Sequence, residues 1–140
     1  MTTAIDTNVI VALWEQDKAI HSRAWSTLDS ALEKGPLVIA APVYSELLAA
    51  PGRDERFLQT FFSDTGIRID WLLDQDVWTA AGKAFGAYAV RRRGHGDSGP
   101  RRILADFLIG AHALQIGAAL LTTDTRIYQA SFPRLRLFRV

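Results

Sequence analysis

The chain has 140 residues with no cysteine, 49% hydrophobic and 22% charged, which supports one buried core and excludes global disorder, disulfide scaffolds, thiolate zinc sites and cysteine nucleophiles. No apolar run approaches the roughly 20 residues of a membrane span, and the basic-then-apolar order of a secretory leader is not found, so one cytoplasmic domain over 1–140 is expected. The net charge of +1 hides a division: residues 1–90 carry seven Lys/Arg against twelve Asp/Glu, whereas residues 91–140 carry nine Arg against three Asp.

Along the chain, Thr3–Ile5 reads as a short first strand ending at Asp6. Val9–Glu15 and Ala19–Lys34 read as helices, the second with Ile20, Ala24, Leu28 and Leu32 at helical spacing. Gly35-Pro36 punctuates before a strand at Leu37–Ala40, and Pro42 suits the first turn of a helix running to Ala50. After Pro51-Gly52 come a helix at Glu55–Phe62, a strand at Ile67–Trp71 and a long helix at Val77–Arg93. The glycine-rich stretch 93–100 has loop composition. Ile103–Ile116 is a helix closed by Gly117, Ala118–Leu121 a buried strand, and Leu135–Val140 the last strand. Short apolar strands separated by helices predict an α/β fold, a parallel sheet of about five short strands with helices on both faces. Such sheets bind ligands at the carboxyl ends of their strands, where Asp6 and Asp124 fall.

Four carboxylates sit in apolar sequence: Asp6, Glu46, Asp106 and Asp124. Singly, each has an ordinary explanation. Asp6 or Asp106 suits a helix cap, Glu46 the polar side of an amphipathic helix, and Asp124 the opening of a turn. Together, two acids at strand ends and two near helix starts can converge on one cleft, where they repel one another and call for a divalent cation. All-oxygen ligation favours Mg²⁺ or Mn²⁺, as one or two ions, over zinc. Such ions polarise a phosphodiester and activate a water.

Ile5-Asp6-Thr7-Asn8-Val9-Ile10 resembles the opening motif of PIN-domain ribonucleases, and Tyr44-Ser45-Glu46-Leu47 resembles the second acidic motif of that family. Residues 105–113, around Asp106, are similar to the third motif, and Leu121-Thr122-Thr123-Asp124 to the fourth. All four occur in order over nearly the whole chain, and its size is similar to VapC-type toxins of prokaryotic toxin–antitoxin pairs. The resemblance implies a metal-dependent endoribonuclease, the toxin of a type II pair, with RNA as substrate, a VapB-like antitoxin as partner and a homodimer as its state. It implies that Asp6, Asp106 and Asp124 face the metal and that Glu46 holds a metal-bound water or completes the acidic pocket. Asn8 and Thr122 match small polar positions that support the acids.

Arg91, Arg92, Arg93, Arg101 and Arg102 flank the glycine-rich stretch and could grip RNA phosphates, although arginines at a helix end also suit its dipole. His95 reads as an exposed loop histidine and His112 as structural. The four tryptophans favour core or interface packing over base stacking, and Gly110 favours close packing of its helix on the sheet. A phosphatase would need an acid where Asn8 stands, and a receiver domain a lysine later than Lys83, the last in the chain. The alternative that survives is a non-catalytic PIN-like module that binds RNA or a partner.

Overall fold

The computed structural model describes residues 1–94 and 103–140. Its elements are β1 (Thr3–Ile5), α1 (Thr7–Trp14), α2 (Ile20–Lys34), β2 (Leu37–Ala40), α3 (Ala41–Leu48), α4 (Glu55–Thr65), β3 (Arg68–Asp70), α5 (Gln75–Gly94), α6 (Leu104–Gln115), β4 (Ala119–Thr122), α7 (Arg126–Ser131) and β5 (Leu137–Arg139). The strands form one all-parallel sheet in the order β3-β2-β1-β4-β5. Every residue of β1, β2 and β4 is buried, which requires cover on both faces of the sheet. The edge strands β3 and β5 are partly exposed and carry Arg68, Asp70 and Arg139. No helix among the described residues is long and apolar enough to cross a membrane.

The expected α/β architecture is present, and local chemistry explains where elements start and stop. α1 begins at Thr7, two residues before the apolar pattern does, because Asp6 caps it. Asp54 caps α4 by accepting the Phe57 N–H at 2.8 Å, and Gly66 ends that helix in the left-handed region (φ 70°). Two expectations need correction. α7 has no counterpart in the sequence reading, since six residues are too few to show a period. Gly110 packs on α7 and the residue after it rather than on the sheet: a Cβ there would lie 2.5 Å from the Phe132 ring and 3.1 Å from that of Tyr128.

Topology places the site. The chain winds from β1 to β2 and β3 on one side, then crosses to β4 and β5 on the other. The carboxyl ends of β1 and β4 are therefore neighbours at the point where the winding reverses, the position at which α/β sheets open a crevice. Ile5 pairs with Leu121, so Asp6 and Thr122 emerge side by side. α6 packs into the core with Phe107 to Ala113 all buried. Its His112 meets Asp70 of β3, Nε2 to Oδ2, at 2.9 Å.

Candidate active site

Asp6 leaves β1 in extended conformation (φ −76°, ψ 152°) and turns its side chain back onto the first turn of α1. Its Oδ1 accepts the Thr7 N–H at 2.8 Å. Its Oδ2 accepts two hydroxyls, Thr122 Oγ1 at 2.8 Å and Tyr128 Oη at 2.9 Å. Only 4% of the residue is exposed. Burial pushes its carboxyl from 3.8 up to about 6; the hydrogen bonds oppose the rise and the charge of Asp106 adds to it. The cap and the cleft carboxylate, alternatives in the sequence, are one and the same group here.

Glu46 lies in the second turn of α3 rather than at its start, and its Oε1 accepts Thr7 Oγ1 at 2.6 Å. Burial raises its carboxyl, the Thr7 hydroxyl lowers it and Asp106 raises it again. Thr7 thus serves both acids, Asp6 through its backbone and Glu46 through its side chain. Asp106 occupies the first turn of α6, where the helix dipole favours an anion. Asp6, Glu46 and Asp106 line one open cleft of about 460 Å³ together with Thr7, Asn8 and Thr123.

Asp124 follows the end of β4 and opens the turn into α7. Its Oδ1 accepts the Arg126 N–H at 3.1 Å and Arg126 Nε at 3.3 Å, and it is not among the residues lining the cleft. Asn8 ties α1 to the end of β4 by accepting the Thr123 N–H at 3.1 Å, and its Nδ2 lies 3.5 Å from Thr122 Oγ1. Its link to Asp6 therefore runs through Thr122. Arg91, Arg92 and Arg93 form the last turn of α5, where cations complement the helix end. Arg91 reaches Ser131 and Arg92 reaches Tyr88, each at 3.4 Å. Arg101, Arg102 and His95 lie outside the described residues.

Tyr128 is the site residue that sequence reasoning missed. It is fully buried on α7, and burial with the nearby anions Asp6, Asp106 and Glu46 raises its phenol, which keeps it a neutral donor. The signal available was weak: a tyrosine buried among apolar residues needs a partner for its hydroxyl, but nothing in the sequence names that partner.

The donor set suits a hard cation, being carboxylate oxygen with two acids destabilised as anions. Among the described residues, no three carboxylates or imidazoles converge closely enough to enclose an ion by themselves. Such a donor set suits a hard cation that takes only one or two protein carboxylates and does not fit a closed protein cage.

The PIN domain family model matches residues 3–133 of the chain. No curated protein matches its sequence. Among solved structures, the chain is similar to one in VapBC2 from Rickettsia felis, which was captured with a DNA fragment from its promoter, at 18% identity and TM-score 0.66, covering 100% of this chain and 99% of that one. It is similar to one in VapBC-1 from nontypeable Haemophilus influenzae, at 22% identity and TM-score 0.64, covering 99% and 98%. A chain of FitAcB from Neisseria gonorrhoeae is similar at 21% identity and TM-score 0.64, covering 98% and 96%. At these identities the likeness is one of fold.

Proposed function

Because the chain belongs to the PIN-domain family, we propose that it is a metal-dependent endoribonuclease and the toxin of a type II toxin–antitoxin pair. The observation that carries this reading is the shared cleft of Asp6, Glu46 and Asp106, where two of the acids resist ionisation. Clustered buried carboxylates weaken a fold, so their presence at a sheet's ligand-binding end favours a cationic task.

Asp6 and Asp106 are the residues that would hold Mg²⁺ or Mn²⁺, as one or two ions, with Asp124 joining by exchanging Arg126 for the metal. A bound ion supplies polarisation of the phosphodiester and a water of lowered pKa. The chain's own groups do the rest. Thr7 and Thr122 hold Asp6, Thr7 also orients Glu46, and Asn8 braces Thr122. Glu46, with its raised proton affinity, is the group in the cleft that takes up a proton from an attacking water. Arg91, Arg92 and Arg93, with Arg101 and Arg102, would engage RNA phosphates and add affinity without sequence choice.

A VapB-like antitoxin is the partner favoured by the likeness to VapBC and FitAcB structures. A homodimer is favoured by the apolar face of Trp71 (58% exposed), Leu72 (85%) and Trp78 (51%), which suits a second copy. Purified protein with Mn²⁺ should cut single-stranded RNA, and EDTA should stop it. Asp6→Asn or Asp106→Asn should lose cleavage; unchanged cutting by either variant overturns the assignment. RNA binding without cleavage in Mn²⁺ would instead favour the non-catalytic module.

A further inference from the structure

We propose that Tyr128 is a positioning residue for Asp6, its hydroxyl locking the carboxylate in the orientation that receives a divalent cation; this rests on the carboxylate reading above. The terminal torsion of an aspartate is broad, so the plane of its carboxylate is set by partners rather than by rotamer preference. An ionised carboxylate offers about four acceptor positions. At Asp6, Thr7 fills one on Oδ1, and Thr122 and Tyr128 fill two on Oδ2. One direction is left for an outside ligand.

Tyr128 differs from the other two donors in where it comes from. Thr7 is the next residue and Thr122 lies on the adjoining strand, so both follow from the local path of the chain. Tyr128 arrives from α7, and its ring lies against the Cα of Gly110 on α6, where a Cβ would come within 3.1 Å. α6 also carries Asp106. The ring is held by the helix of one acid while its hydroxyl holds the other acid, which fixes the two relative to each other.

Partners that orient a metal ligand are worth about 10–100-fold in metal affinity. Tyr128→Phe keeps the ring and its packing and deletes the hydroxyl. The test is Mn²⁺ titration by calorimetry of the parent and Tyr128→Phe, with melting of both in EDTA. A tenfold or larger rise in Kd with the melting temperature within a few degrees of the parent is expected; a ring that only fills space would leave Kd unmoved. Equal Kd values overturn the positioning role and leave the carboxylate reading standing. A melting temperature lowered by more than about ten degrees assigns the hydroxyl to folding and overturns it as well. A parent that takes up no Mn²⁺ overturns both.

Discussion

The two ends of the sheet hold charged side chains under opposite conditions. At the carboxyl ends of β1 and β2, where α1 and α3 begin, Asp6 is buried and Glu46 half-buried. At the amino ends, Lys34, Arg134 and Arg136 stand exposed, the two arginines around a hollow of about 260 Å³ that Met1 also lines. Asp6 before α1 and Lys34 in the last turn of α2 agree with helix dipoles, since parallel βα units start their helices at one end and finish them at the other. Sign alone therefore does not mark the site. Burial does: exposed arginines keep their hydration, whereas Asp6 has surrendered it and is pushed up to about 6.

The largest expected effect tests that distinction directly. Asp6→Asn should reduce Mn²⁺-dependent RNA cleavage by more than about a hundredfold, the scale of losing a group that acts in the transition state. A gel assay on single-stranded RNA reads it. If an Arg134→Ala, Arg136→Ala double variant lost as much, the contrast between the ends would collapse.

Stability should follow pH in a direction set by burial. Asp6 has a folded value of about 6 against 3.8 unfolded, so between these the folded chain keeps a proton that the unfolded chain has released. Its contribution is complete below 3.8 and is lost as pH rises through 6, in total about 3 kcal/mol from a shift near two units. Denaturation in EDTA at pH 4.5 and 7.5 should show the parent losing stability relative to Asp6→Asn as pH rises, and Mn²⁺ should restore it at the higher pH. A difference that grows in the opposite sense would show that Asp6 is stabilised as an anion.

A smaller effect sharpens the account of the buried end. Gly110→Ala forces a methyl against Phe132 and Tyr128, an overpacking that costs about 1–3 kcal/mol. It should lower the melting temperature and weaken Mn²⁺ binding together, because the displaced ring carries the hydroxyl on Asp6. The smallest effect belongs to the exposed end. Arg134→Ala with Arg136→Ala should change stability by no more than about 0.5 kcal/mol per site, measured by urea denaturation.

Strands were the most legible part of the sequence. Thr3–Ile5 and Leu37–Ala40 stand as expected because each apolar run is bounded by a residue with a reason to mark the boundary, Asp6 closing the first before α1 and Pro36 opening the second. Strand order was not legible, since it depends on which crossovers pack best rather than on any local pattern. At the site, Asp6, Glu46 and Asp106 stand out in the sequence because acids embedded in apolar surroundings need an explanation, and they line one cleft. Asp124 meets the same criterion, and its Oδ1 pairs with Arg126 two residues later, at the turn into α7. The same unread helix hid Tyr128. A buried site is legible where its residues lie at strand ends and obscure where a short helix folds back over it.

The bond between His112 and Asp70 bears on how α6 knows which way to face. From Phe107 to Ala113 the helix is buried without interruption, so burial rewards many rotations about its axis almost equally. Two contacts break that degeneracy: Gly110 must face the Phe132 and Tyr128 rings, and His112 Nε2 must lie 2.9 Å from a carboxylate on β3. Asp106 sits six residues before His112 on the same helix, so its bearing toward the cleft is shared with these two pegs further along, much as a key's teeth are aligned by the shape of its bow.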